Sequence, residues 1–193
     1  MKKIPTLFVR DFNNDPSRVL PEYHSDCLWV RDGEGWPTRK LDGMCCALVN
    51  GVFVKRREVR AGKPVPLDFI PSTEDDVTGK RVGWVPIGHG PEDRYFVEAM
   101  ERFTPTGRDE TFELVGPKSQ GGVEGWALHA LVPHGSEGLK FDEVPRDFNG
   151  LRGWLADKPI EGVVWHHPDG RMAKIKGRDF GHKRAAQRAA GDT

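Results

Sequence analysis

A chain of 193 residues with 29 basic and 29 acidic side chains carries no formal net charge. As a whole it does not present itself to a polyanion, so any nucleic-acid partner must be met by a local patch. That length supports one buried core or at most two small ones, which favours a single domain over residues 1–193. No apolar run is long enough to span a bilayer, and the opening MKKIPTLFVRDFNND lacks the apolar segment and cleavage site of a signal peptide. The expectation is a cytoplasmic protein with no membrane partner. Cys27, Cys45 and Cys46 form neither a CxxC pair nor an even framework, and read as reduced, buried small residues.

In MCCALV-NG-VFVKRR, Asn50-Gly51 between two β-rich segments predicts a type I′ hairpin and puts Lys40 at the entry to an antiparallel strand. AGKPVPLDFIPSTEDD, dense in proline and acids, predicts a long loop, and KRVGWVPI a short strand. PEDRYFVEAMERF predicts a helix on a sheet, with Pro91 at a first helical position and Phe96, Met100 and Phe103 at helical spacing. Strands follow at TFELV and WALHALV, then a helix near PRDFNGLRGWLADK. Strands IEGVVW and RMAKIK come next, joined by a Pro-Asp-Gly turn. From Arg171 onward cations outnumber acids, and RDFGHKRAAQRAA predicts a basic helix in a tail, 177–193, that is the best candidate patch. No repeat or linker interrupts this order, which predicts an α+β fold of mostly antiparallel sheets with flanking helices.

Four short pieces carry chemistry: Lys40-Leu41-Asp42-Gly43, then Phe112-Glu113-Leu114-Val115-Gly116, then Glu161-Gly162-Val163-Val164-Trp165, then Lys174-Ile175-Lys176. A lone KxDG arises by chance in such a chain on the order of a few per cent of the time. In order with the other three it is a strong signal. The set resembles the covalent nucleotidyltransferases, the superfamily of ATP-dependent ligases and mRNA capping enzymes. That superfamily is marked by a KxDG nucleophile, an acidic strand, an EG(V/L)(V/I) strand and a KxK strand. KLDGMCC, GKRVGWVPIG, and FELVGPKSQGG followed by LHALVPHG resemble more closely its small RNA ligases, over about residues 39–177.

The resemblance implies an adenylation core without a separate OB domain, the chain ending soon after the KxK strand and its basic tail doing part of that domain's work. It implies that Lys40 attacks the α-phosphate of ATP, forms lysyl-AMP and releases pyrophosphate. The AMP then passes to an RNA 5′-phosphate, which a 3′-hydroxyl attacks to seal the strand. A lysine amine with its ordinary pKa near 10.4 costs roughly 4–5 kcal/mol to present as the free base at pH 7, unless the site lowers it. Lys174 and Lys176, two apart on a strand, point to one face. There they could neutralise phosphates, disfavour a proton on Lys40 and stabilise charge on the attacked phosphorus.

Mg²⁺, for which Mn²⁺ can substitute, calls for carboxylates, with Glu161 the best and Glu113 the second. The resemblance also gives Glu113 the ribose hydroxyls, and a ribose or phosphate contact to an arginine after the hairpin. Arg56 is the best match for that arginine, with Arg57 and Arg60 as alternatives. Asp42 orients Lys40 and the turn, and Gly43 lets the backbone approach the nucleotide. The ATP-binding set is thus Lys40, Asp42, Arg56, Glu113, Glu161, Lys174 and Lys176. The base-stacking position falls on Trp126, His129 or Leu131.

Alternatives are a GTP-dependent capping-type enzyme, a DNA ligase, or a non-catalytic nucleotide- or RNA-binding protein of the same fold. Asp179-Phe180-Gly181 looks like a kinase metal motif, but no glycine-rich loop or HRD segment accompanies it. His129, His134, His166, His167 and His182 show no HExxH or Cys-His zinc spacing and read as surface or core residues. Cys45 reads as packing.

Overall fold

Residues 4–74 and 78–184 are described by the structure, a computed structural model. In chain order the elements are β1 (Phe8–Asp11), β2 (Asp15–Tyr23), α1 (Leu28–Arg31), β3 (Trp36–Lys40), β4 (Met44–Val49) and β5 (Val52–Val59). They continue with β6 (Ile70–Glu74), β7 (Arg81–Pro86), α2 (Arg94–Met100), β8 (Glu110–Val115), β9 (Ala130–Pro133), α3 (Phe148–Ala156), β10 (Gly162–His166) and β11 (Met172–Lys176). All pairings between these strands are antiparallel, giving the α+β class that the pattern predicts. The length alone suggests one domain; the chain forms two compact units, Asp42–His134 and Ile4–Leu41 together with 135–184.

Within Asp42–His134 the six-stranded sheet has the order β6-β7-β5-β4-β8-β9. Asn50 at φ 49° and Gly51 at φ 77° make the tight β4–β5 turn, where the left-handed conformation favours these two residue types. Alternation sends Cys46, Leu48, Phe112, Leu114 and Leu131 to one face, against Phe96 and Ala99 of α2. Ala47, Val54 and Trp84 go to the other. Each fully buried side chain of the Phe112 or Leu114 kind contributes about 1.5–3 kcal/mol. Pro91 leads α2 through a short 3₁₀ turn, and Met100 and Phe103 pack on the same core, as the helical spacing predicts.

The second unit holds the β1–β2 hairpin and a three-stranded sheet of order β11-β10-β3. Val163, Trp165, Ala173 and Ile175 alternate inward and meet Phe8, Leu151 and Leu155. Asp147 caps α3 by accepting the Gly150 N–H at 2.9 Å, and Leu151 and Leu155, four apart, form the buried stripe of that helix.

Four local expectations need correction. Lys40 does not enter the hairpin strand: it ends β3, a strand of the other sheet. The segment predicted as one long loop contains β6, which pairs with β7 despite Pro71; β6 is an edge strand, where proline is tolerated. WALHALV is strand only from Ala130. The tail forms a 3₁₀ turn over Gly177–Phe180, and 181–184 are not helical; the rest of the predicted basic helix lies outside the described residues. No helix among the described residues is long and apolar enough to cross a membrane.

Candidate active site

Strand register places the lysines. Gly162 pairs with Lys176 on one side and Lys40 on the other, and Val164 pairs with Lys174 and Thr38. Lys40, Lys174 and Lys176 therefore share the face opposite Val163, Trp165 and Ile175, the residues that enter the core. Glu161 immediately precedes β10. Its Oε2 accepts from Lys40 Nζ at 2.6 Å, and its Oε1 accepts from Lys176 Nζ. Lys40 Nζ also donates to its neighbour's carbonyl, Leu41 O, at 3.2 Å.

Only 12% of the Glu161 side chain is exposed, between lysine side chains 20% and 14% exposed. Burial pushes the Glu161 carboxyl up, but the charges and hydrogen bonds of Lys40 and Lys176 together outweigh it and hold the group below its ordinary value. Glycine at 162 is a packing requirement. A Cβ there would press into Ile175 O and lie 2.8 Å from Lys176 Cα.

The same face continues past the lysines with residues that the motifs did not single out. Thr38 is buried and its Oγ1 lies 2.9 Å from His166 Nε2. Trp36 stacks on His166 with ring centroids 5.9 Å apart, and Lys140 Nζ lies 5.4 Å from the Trp36 ring centroid. The signal available in the sequence was the alternation of WPTRK, which puts Trp36 and Thr38 in line with Lys40.

Asp42, Arg56 and Glu113 belong to the other unit. Glu113, between buried Phe112 and Leu114, faces the side of the sheet that carries Ala47 and Val54. Its Oε1 accepts from Gly43 N at 2.9 Å, and its Oε2 lies 2.9 Å from His134 Nε2. Arg56 lies two residues beyond Val54 and pairs with Trp84, so it shares the Glu113 face. Its Nε is buried and finds no hydrogen-bond partner among the described residues, while Nη2 reaches Glu58 Oε1 at 3.5 Å. Arg57 alternates to the opposite face with Lys55, whose Nζ pairs with buried Asp93, and Arg60 lies beyond β5. The backbone N–H of Asp42 donates to Glu124 Oε1 at 2.8 Å, a contact with no motif to announce it.

Of the base-stacking candidates, Leu131 lies in the core with α2, and buried His129 binds Glu98 at 2.8 Å and stacks on Tyr95. Trp126 is 41% exposed. Asp179 is a turn cap: Oδ2 accepts from Lys176 N at 2.9 Å and Oδ1 pairs with Arg10 at 3.0 Å.

Fold and site define an α+β protein of antiparallel sheets with a lysine–glutamate–lysine cluster suited to an anionic phosphate ligand. In sequence the chain is related to proteins named RNA ligase 1. It is 26% identical to that of Pongo abelii, with 93% of this chain and 81% of the relative covered. It is 27% identical to that of Rattus norvegicus and 28% to that of Mus musculus, each over 66% of this chain and 46% of the relative. The chain thus spans about half the length of the rat and mouse relatives it matches. No known family profile matches it.

Proposed function

We propose that the chain is an ATP-dependent RNA ligase with an adenylation core, working through a covalent AMP on Lys40. The observation that carries this reading is the Lys40–Glu161–Lys176 cluster, in a chain related to proteins named RNA ligase 1. Nζ of Lys40 attacks the α-phosphorus of ATP; an N–P bond forms and the P–O bond to pyrophosphate breaks. The attacking amine must shed a proton, and Glu161 Oε2 at 2.6 Å is an acceptor within reach. A carboxylate held ionised relays that proton rather than keeping it. Lys176 and Lys174, on the same face, oppose the charge that gathers on the phosphate oxygens. Within the other unit, Arg56 Nε is buried with no hydrogen-bond partner among the described residues, which suits a phosphate or ribose contact.

The donor set fits Mg²⁺. Glu161 offers hard carboxylate oxygens, and one such group with waters and substrate phosphates is the usual way this ion is held. Glu113, the second carboxylate expected from the sequence, lies in the other unit with its oxygens engaged by Gly43 and His134. The ion would neutralise phosphate charge. In the second and third steps a 5′-phosphate oxygen of RNA displaces Lys40 from the AMP phosphorus, and a 3′-hydroxyl then displaces AMP.

The test is labelling of the protein by ATP carrying radiolabel in its α-phosphate, with Mg²⁺. The expected adduct is acid-labile, alkali-stable and absent from Lys40→Ala. Absence of the adduct, or its survival in Lys40→Ala, overturns the reading. Labelling by GTP in place of ATP would indicate a capping-type enzyme. Sealing of nicked DNA but not of 5′-phosphorylated RNA would indicate a DNA ligase. ATP or RNA binding without an adduct would indicate a non-catalytic binding protein.

A further inference from the structure

Three adjacent strands of the six-stranded sheet bring a thiol, a carboxylate and an imidazole together on one face. Cys45 of β4 pairs directly with Glu113 of β8, and His134 follows β9, extending its ladder through His134 N to Thr111 O at 3.0 Å. One ligand atom from each of Cys45, Glu113 and His134 lies within 4.8 Å of the others. We propose that these residues form a site for a thiophilic divalent cation of the Zn²⁺ type, separate from the hard-ion chemistry of Glu161.

The surroundings of the three groups are those of metal ligands. His134 Nδ1 lies 2.9 Å from Thr111 Oγ1, which fixes the ring with Nε2 toward Glu113. A hydroxyl can donate or accept, so Thr111 serves the tautomer in which Nδ1 carries the proton and Nε2 offers its lone pair to the metal. Glu113 Oε1 is anchored by the Gly43 N–H at 2.9 Å, which leaves Oε2 as the ligating oxygen. Cys45 is half-buried, whereas Cys46 alternates to the opposite face, its Sγ buried 3.8 Å from Phe112 O.

A mixed thiolate, imidazole and carboxylate set suits Zn²⁺ and Co²⁺, while Mg²⁺ prefers an all-oxygen shell. With metal–ligand bonds of about 2.0–2.3 Å, a tetrahedral ion holds its donors roughly 3.3–3.7 Å apart. The cluster reaches this by side-chain rotation. The ion takes the place of the proton between Glu113 and His134, displaces the thiol proton of Cys45, and keeps a fourth position for water or another ligand. Periodicity hides the set because its members lie far apart in sequence and match no short zinc spacing.

The test is titration of the chelator-stripped chain with Co²⁺, then Zn²⁺. One Co²⁺ per chain is expected, with a thiolate-to-cobalt charge-transfer band and the intense visible bands of four-coordination. Zn²⁺ should abolish both, and a large excess of Mg²⁺ neither. Cys45→Ser should lose the thiolate band and Cys46→Ser should keep it. Thr111→Val, which touches no metal, should weaken binding by about 10- to 100-fold. Should Cys45→Ser lose its native circular dichroism, His134→Gln, which can still donate to Glu113, serves in its place and should lose four-coordination. A six-coordinate Co²⁺ spectrum, a thiolate band that survives in Cys45→Ser, or an equal loss in Cys46→Ser overturns the proposal. No readout involves a nucleotide, so failure here and failure of the ligase reading are distinguishable.

Discussion

Replacing Glu161 by glutamine tests the cluster at its centre. The substitution keeps shape and removes the charge that holds Lys40 and Lys176, leaving two ammonium groups around a neutral amide. Breaking a buried pair by removing one partner typically costs about 3–5 kcal/mol, whereas an exposed pair contributes about 0–1 kcal/mol. Side-chain exposures of 12–20% across the cluster let some water reach it, so the expected loss at pH 7 lies near the lower end, about 3 kcal/mol. Urea unfolding followed by tryptophan fluorescence measures it, since Trp29, Trp36, Trp154 and Trp165 all report on the unit that contains the cluster. The pH dependence gives a second reading. Because the folded carboxyl of Glu161 lies below its unfolded value of 4.5, its contribution is fully present above that value and is lost as pH falls through the folded pKa. Wild type should lose stability on the acid side over a range that Glu161→Gln lacks. A loss under about 1 kcal/mol at pH 7, with an unchanged acid limb, would place the cluster among surface pairs and refute the reasoning.

Arg56→Ala should weaken ATP binding by roughly tenfold, the magnitude of one charged hydrogen bond, while Arg57→Ala, on the opposite face, should leave it within about twofold; nucleotide titration checks both. Gly162→Ala should force β10 from β11, lowering stability by about 2 kcal/mol or more and abolishing Lys40 labelling, as read by urea unfolding and the adduct assay. Asp179→Ala should cost about 3 kcal/mol in the same unfolding assay without moving the Mg²⁺ midpoint for labelling, because that carboxylate holds Arg10 and the Lys176 N–H. Burial, with Asp26 adding to it, pushes the Cys27 thiol up to about 12, and burial also pushes Cys46 up. Alkylation at pH 8 followed by mass spectrometry should therefore modify Cys45 first, and Zn²⁺ should protect it.

What the sequence discloses about the site is what depends on alternation. Lys174 and Lys176 share a face for any strand that contains them, and WPTRK aligns Trp36 and Thr38 with Lys40 by the same rule. What it withholds is register. Nothing local to Glu161 says that the next residue lies between Lys40 and Lys176, which is why one carboxylate can hold both ammonium groups. The choice among Arg56, Arg57 and Arg60 was open for the same reason. Pairing of β5 with β7 makes Arg56 the one that shares the Glu113 face. Asp179 is the converse case: its motif looks like metal chemistry, the missing companion motifs argue against it, and its hydrogen bonds show it capping a turn.

The four letters KLDG separate on the same grounds. Lys40 and Leu41 fall in one unit, Asp42 and Gly43 in the other. Lys40 is fixed by the β3–β10 ladder and by Glu161. Gly43 is fixed by its N–H on Glu113, and a Cβ there would press into Leu114 O and lie 2.8 Å from Glu113 Cγ. From the sequence, glycine at this position speaks for close approach of a nucleotide. In the fold it is already required by its neighbours on β8, whatever binds. The lysine is the member of the motif that its fold places among charges: it lies on a face shared with two further lysines, and the Glu161 carboxylate beside it is divided with one of them.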